Sequence, residues 1–140
     1  MLISSKTKNG KIILGLLSYT FEDGNASMEE LEKLLESYRE NPNFDILLYK
    51  EESENFIGLI CIEFNTSSTN ELEKPSSTTI IVHRIAVVPS FRDEGVGYRM
   101  YESLRQLYPN ATVIGSMDTV DLLSKWLTIY NRHHQKDERR

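Results

Sequence analysis

Apolar residues follow two different spacings along this chain, and each spacing predicts a type of element. Residues 56–64 and 79–88 are apolar runs rich in β-branched side chains, which is typical of buried strands. Residues 28–38 and 96–107 carry an apolar residue every three or four positions, which predicts one buried helix face. Shorter patterns predict further strands at residues 1–6, 45–50 and 111–115 and a last helix at residues 119–130.

Local signals mark the ends of several of these elements. Ser27 and Glu30 match a capping box, in which each side chain satisfies a free backbone N–H of the first helical turn. The run after Asn9 suits a strand or a helix, and Asn9 as a cap favours a helix over residues 9–18. Polar residues 65–77 predict a loop. Asn131 predicts the end of the last helix.

The predicted order of elements is β-α-α-β-β-β-α-β-α, which predicts an α/β fold with a mixed β-sheet flanked by helices. Residues 55–64 are apolar on both strand faces, so the sheet is expected to be covered on both sides. We predict a single domain over residues 1–131, followed by a flexible charged tail over residues 132–140.

Composition narrows the functional classes. The 140-residue chain carries a net charge of −5 with a pI near 5.2, which argues against sequence-blind binding to nucleic acid or anionic membranes. The single cysteine, Cys61, excludes an internal disulfide and fits a reducing compartment. We therefore expect a cytoplasmic protein with no nucleic-acid or membrane partner. His133 and His134 are adjacent histidines without a further ligand, so no metal site is predicted.

Strand, glycine turn and helix follow one another over residues 80–107, an arrangement that aims backbone N–H groups at phosphate. A dinucleotide-binding turn requires a third glycine, and here Gly95 and Gly97 are followed by Met100. The string that defines a P-loop is absent from the sequence. The remaining pattern is Arg92-x-x-Gly95-x-Gly97, preceded by a strand that ends at Pro89.

This segment resembles motif A of the Gcn5-related N-acetyltransferases (GNAT), and the element order resembles that family over most of the chain. The resemblance implies acetyl-CoA as co-substrate. Its pantetheine arm would pair with strand backbone at Ile85, Ala86 and Val87, like an added β-strand. Its pyrophosphate would lie on the turn and the helix N-terminus, against residues of the motif and of the first helical turn. These residues are Arg92, Gly95, Val96, Gly97 and Tyr98.

The chain departs from the family pattern in two places. Asp93 and Glu94 stand where the family usually has glycine and a basic or amide residue, and two carboxylates should repel a pyrophosphate. The fold is expected to lack the family's C-terminal strand pair, which often walls the acceptor site. The acceptor site is then expected to be open or to be completed by the second subunit of a homodimer. Gly15-Leu16-Leu17-Ser18 also resembles the small acetyltransferase-like proteins of riboflavin operons.

Two side chains are candidates for the catalytic base that transfer to an amine requires. Strand alternation predicts His83 on the face of Ile85 and Val87, and Arg84 on the other face in a structural role. Glu63 ends the neighbouring strand. A tyrosine that often serves as the acid in the family's last helix is replaced by Leu127, while Tyr130, one turn further on, is expected in the core.

The sequence leaves three functions open. The first is direct transfer of an acetyl group from acetyl-CoA to a primary amine of a small molecule or protein, without a covalent enzyme intermediate. The second is a non-catalytic acyl-CoA-binding regulatory module, favoured by the missing tyrosine and the acidic turn. The third is a partner-binding domain that does not bind CoA.

Overall fold

In the described part of the chain, five strands and four α-helices follow one another in the predicted order. The computed structural model describes residues 1–5, 9–21, 26–52, 54–67 and 77–138. A short 3₁₀ helix, Pro89–Phe91, precedes α3. In chain order the elements are β1 (Leu2–Ser4), α1 (Gly10–Ser18), α2 (Met28–Glu40), β2 (Phe44–Tyr49), β3 (Gly58–Ser67), β4 (Ser77–Val87), α3 (Val96–Leu107), β5 (Thr112–Gly115) and α4 (Val120–Glu138).

The strands form one mixed sheet in the order β1-β2-β3-β4-β5, so neighbours in sequence are neighbours in space. The first three pairings are antiparallel, and β4 pairs with β5 in parallel. A parallel pair requires a crossover, which α3 provides. The predicted mixed α/β fold is confirmed.

Two apolar cores lie on the two faces of the sheet. Side chains of α3 and α4, including Met100, Leu104 and Trp126, pack on one face. Side chains of α1 and α2, including Leu17 and Leu31, pack on the other. The prediction that both sides of the sheet are covered is therefore confirmed. Within the described residues, no helix combines the length and the apolar character needed to cross a bilayer.

Most predicted element ends agree with the structure to within two residues, whereas both ends of β3 and the end of α4 differ by more. β3 begins at Gly58 and not at residue 55. The Ser27 hydroxyl accepts a hydrogen bond from the Glu30 N–H at 3.1 Å, as the capping box predicts. The predicted loop at 65–77 is too long, because residues 65–67 pair with residues 77–79 and extend the β3–β4 hairpin. The rest of that loop, residues 68–76, lies outside the described residues.

The prediction that α4 ends at Asn131 is also wrong, since the helix continues through Glu138. Aromatic contacts accompany the extra turns: the His134 ring stacks on Tyr130 with centroids 3.9 Å apart, and His133 meets Tyr98 edge to face at 6.1 Å. Asparagine is tolerated at the end of a helix but does not terminate one by itself. The helix continues past Asn131 because the residues that follow make these aromatic contacts. The division between residues 1–131 and residues 132–140 as domain and tail stays a prediction.

Candidate active site

A β-bulge in β4 decides which side chains share the site. Cys61 pairs with Arg84 and Ile62 pairs with Val82, so His83 is an extra residue without a partner on β3. Val82 packs in the core under α3 and α4, whereas Ala86 packs under α1 and α2. Two even-numbered residues of one strand thus face opposite sides, because the bulge shifts the alternation by one position.

The bulge places His83 on the α1/α2 face. Its ring lies 5.1 Å from that of Phe44, which in turn contacts Tyr38 of α2. Ile85 and Val87 pack against the opposite core. The predicted shared face of His83 with Ile85 and Val87 is therefore wrong, and so is the predicted separation of His83 from Arg84.

His83 and Glu63 form a hydrogen-bonded pair. The His83 Nε2 atom lies 2.8 Å from Glu63 Oε1, and the two side chains are 29% and 31% exposed. An ionised carboxylate only accepts hydrogen bonds, so His83 Nε2 would be the donor to an ionised Glu63. The two base candidates from the sequence thus form one hydrogen-bonded unit.

The edge of β4 is open beyond the point where β5 ends. The β4–β5 pairing stops at Val82 and Gly115, and the Val82 carbonyl accepts bonds from the Ser116 N–H and the Thr119 hydroxyl. On the β3 side, the Val88 N–H donates to the Ile57 carbonyl. Antiparallel alternation then directs the Ile85 and Val87 backbone groups to the open edge.

Ala86 differs from its two neighbours in this respect. It pairs with Leu59 two residues before the bonded pair of Val88 and Ile57, so alternation turns its N–H and carbonyl toward β3. Of the three strand residues predicted to meet pantetheine, Ile85 and Val87 offer backbone groups to a ligand, and Ala86 does not.

A cleft of about 510 Å³ opens beside this edge. It is lined by residues 19–21 after α1, residues 83–85 of β4, and Asp118, Thr119 and Leu122 at the start of α4. The sequence analysis missed the contributions of Tyr19 and Thr119. Only the fold brings these distant segments to β4, and no local motif marks them.

The glycine turn leads from β4 into α3 through two residues with left-handed backbone. Gly95 has φ of 77° at the N-cap of α3, and Asp93 has φ of 65°. Asp93 occupies the position where the related motif has glycine, so the left-handed conformation is kept although the glycine is not. The N–H groups at the start of α3, from Val96 onward, are available to a ligand because a helix leaves its first donors without internal partners.

Gly97 has a packing role that the sequence did not indicate. A Cβ atom there would lie 2.8 Å from Cζ2 of the buried Trp126. The absence of a side chain at this position therefore lets α3 pack closely against α4. This packing role does not depend on whether Gly97 also contacts a pyrophosphate. Arg92 is exposed, donates to the Val87 carbonyl at 3.3 Å and lies over the Tyr19 ring at 5.7 Å.

Arg99 forms hydrogen bonds both to the glycine turn and to the connection between β2 and β3. Its Nε and second terminal nitrogen contact the two Glu51 oxygens at 2.5 and 2.9 Å, and its other terminal nitrogen donates to the Glu94 carbonyl at 2.8 Å. The Tyr49 hydroxyl donates to Glu51 at 2.7 Å. The Arg99 guanidinium lowers the pKa of Glu51 to about 2, while burial and the bond to Glu51 raise the pKa of Tyr49 to about 12.

We expect Glu51→Gln to lower the free energy of unfolding at pH 7 by about 1 kcal/mol, a value limited by solvent screening. The folded pKa lies below the ordinary 4.5, so the stabilisation is complete above pH 4.5 and lost as pH falls toward about 2. Urea unfolding from pH 7 to pH 3 should show the gap to the unsubstituted protein narrowing. Glu52→Gln, the same charge change one residue later, is the control, and a gap independent of pH contradicts the assignment.

Two further side chains, Cys61 and Tyr130, bear on the chemistry. Cys61 is fully buried, and burial raises the pKa of its thiol to about 12, which opposes a covalent acyl-cysteine. Tyr130 packs against the core, with its ring 5.9 Å from that of Tyr101, and is not among the cleft residues. The expectation of a core position for Tyr130 is confirmed.

Comparison with known proteins identifies the class. The profile of the Acetyltransferase (GNAT) family matches residues 13–122. An uncharacterised N-acetyltransferase in the lysA 3′ region of Bacillus methanolicus is 33% identical over 125 residues, which cover 89% of this chain and 93% of that protein.

Solved structures of acetyltransferases share the fold. A GNAT family acetyltransferase of Staphylococcus aureus superposes with a TM-score of 0.62 at 17% identity, covering 82% of this chain and 83% of that one. Aminoglycoside N-acetyltransferase AAC(6′)-Iy in complex with CoA superposes with a TM-score of 0.59 at 15% identity, covering 97% and 84%.

The chain belongs to the Acetyltransferase (GNAT) family. The resemblance seen in the glycine turn and the element order is thereby confirmed, and so is the predicted enzyme class, an N-acetyltransferase of this family. The roles of the individual site residues stay predictions.

Proposed function

We propose that this protein transfers the acetyl group of acetyl-CoA directly to a primary amine. The observation that carries the proposal is the open edge of β4, which leads into the N-terminus of α3 on one side and into the cleft lined by His83 on the other. An extended thioester arm on that edge would present its acyl end to the cleft and its pyrophosphate to the turn.

The chemistry follows from the groups around the cleft. The Ile85 N–H, aimed at the open edge, would polarise the thioester carbonyl. His83 Nδ1 would take a proton from the amine, and Glu63 would stabilise the resulting imidazolium through Nε2. As the amine nitrogen bonds to the carbonyl carbon, the carbon–sulfur bond breaks. The leaving thiolate takes a proton from water, and the imidazolium of His83 returns the proton of the amine to water.

The backbone of the glycine turn favours a bound pyrophosphate, whereas the charge of two side chains in the turn disfavours it. Free N–H groups and the dipole of α3 favour an anion, while Asp93 and Glu94 are exposed carboxylates beside them. The guanidinium of Arg92, now on the Val87 carbonyl, could rotate to the phosphates because it is exposed. We therefore infer binding that is weaker than a glycine-basic turn would give.

Calorimetry with acetyl-CoA and a thiol-release assay with a panel of amines test the proposal. Binding with release of CoA supports acetyl transfer. Binding without release for any amine supports the alternative, a non-catalytic acyl-CoA-binding module, which the absence of an identified general acid favours. Absence of binding at millimolar acetyl-CoA would rule out both.

Asp93→Gly is expected to tighten acetyl-CoA binding several-fold and to stabilise the fold by about 0.5–1 kcal/mol, because it removes a charge and accommodates the positive φ. Asp93→Asn separates the two effects, since asparagine tolerates this backbone and is neutral. We expect Asn to give most of the affinity gain and little of the stability gain. Equal affinities for all three proteins by calorimetry would show that the carboxylate points away from the ligand.

The wider setting stays a prediction from sequence resemblance. The acceptor is a small molecule or a protein amine, the location is cytoplasmic, and a homodimer completes the acceptor side. The likeness to small acetyltransferases of riboflavin operons predicts a role beside that pathway.

A further inference from the structure

Arg84 lies beside the catalytic pair and is held only by neutral groups. Its Nε donates to the Tyr38 hydroxyl at 3.2 Å, and one terminal nitrogen donates to the Thr20 hydroxyl at 2.8 Å. The guanidinium carbon lies 4.8 Å from the centre of the Phe21 ring. These contacts fix the orientation of a planar cation without neutralising it.

The positive charge of Arg84 has no ion-pair partner in the described part of the chain. Other charged side chains there do form ion pairs, such as Lys33 with Glu29 and Arg99 with Glu51. Arg84 is half-buried and lines the cleft. Among the described residues that line this cleft, one is acidic, Asp118, and its side chain is exposed. A guanidinium has five N–H donors, and the two described bonds use two of them.

The bulge in β4 is what puts this cation next to the base. Regular alternation would place His83 and Arg84 on opposite faces, whereas here both side chains turn toward α1 and α2. Consecutive Cα atoms are about 3.8 Å apart, so the two functional groups can contact one small molecule. The cleft then holds His83, which could accept a proton from an amine, beside the oriented guanidinium of Arg84, which could donate two hydrogen bonds to an anion.

We propose that Arg84 binds the carboxylate of the acceptor, so that the acceptor is an amino acid or a similarly small zwitterion. This inference rests on the proposed acetyl transfer and makes it specific. The carboxylate docks on the free edge of the guanidinium, and the amine, a few bonds away, reaches His83. A lysine side chain within a protein has no carboxylate at that distance and is a poor acceptor.

Matched acceptors provide the test: phenylalanine with phenethylamine, and histidine with histamine. We expect the unsubstituted protein to favour the amino acid by at least about 10-fold in kcat/KM, because a charged hydrogen bond contributes on the order of 1.5–3 kcal/mol. Arg84→Gln should raise KM for the amino acids about 10- to 100-fold and leave the amines unchanged. Arg84→Lys, which keeps the charge but not the fork, should be intermediate.

Arg105→Gln is the matched control. Arg105 also bonds to a tyrosine hydroxyl and lies over an aromatic ring, on the opposite face of the sheet. Its substitution should not alter selectivity. Equal losses for both acceptor types in Arg84→Gln, or no preference in the unsubstituted protein, overturn the proposal and assign Arg84 to holding α1 and α2.

A second measurement separates this proposal from the proposed function. Acetyl-CoA binding by calorimetry and acetylation of the simple amines report on acetyl transfer alone and should survive in Arg84→Gln. If no acceptor turns over, titration of phenylalanine into the CoA-saturated protein decides: binding lost in Arg84→Gln supports the proposal, and absence of binding to the unsubstituted protein refutes it.

Discussion

Gly115→Ala is expected to lower the free energy of unfolding by about 3 kcal/mol, at the upper end of what overpacking costs. The new Cβ would lie 2.6 Å from Cα and 2.7 Å from N of Val120. These are backbone atoms, so no side-chain rotation relieves the contact. The turn from β5 to α4 must open, and with it the bonds that Ser116 and Thr119 donate to Val82.

Gly15→Ala is the matched control, since it makes the same chemical change. Gly15 is exposed within α1, and an added Cβ meets nothing within 4 Å. Alanine there should stabilise the fold by about 0.5–1 kcal/mol through helix propensity. Urea unfolding of both variants measures the difference. Gly115→Ala with unaltered stability would mean that the β5–α4 turn adapts freely, and the β4 edge beside it would not be a fixed feature.

The parts of the fold that the sequence predicted correctly are those set by local periodicity. Apolar spacing identified most of the described helices and strands, because each element buries one or both of its faces and the residues that do so are close in sequence. The apolar run of α1 suited a strand equally well, and the predicted cap at Asn9 decided in favour of a helix. Ser27 correctly predicted the start of α2, because an N-cap residue bonds to a backbone N–H only three residues away and is therefore recognisable from local sequence. The order of the elements then predicted the mixed sheet that joins them.

The site was predicted less well because its geometry depends on contacts between distant segments. The extra residue His83 in β4 leaves no composition signal, yet it changes the face of each residue that follows. Gly97 was interpreted through the ligand alone, although Trp126 on another helix requires it. Thr119 and Tyr19 reach the cleft only through the packing of α4 and α1 around β4.

The pairing of His83 with Glu63 leads to the second large expected effect. His83→Gln should lower kcat for acetyl transfer by about 10²- to 10³-fold, because it removes the group that we propose accepts the proton of the amine. The KM for acetyl-CoA should change little, since the β4 edge and the turn are untouched.

Glu63→Gln should lower kcat by about 10-fold, because the amide oxygen still accepts the Nε2 hydrogen bond but lacks the charge that stabilises imidazolium. The double variant should be hardly slower than His83→Gln, since two residues that act as one unit are not additive. His133→Gln, an exposed histidine on α4, is the control for loss of an imidazole. A kcat of His83→Gln within about 3-fold of the unsubstituted protein would remove His83 as the base. Additive losses in the double variant would leave Glu63 a role of its own, because a residue that acts only through the imidazole has no effect once the imidazole is gone.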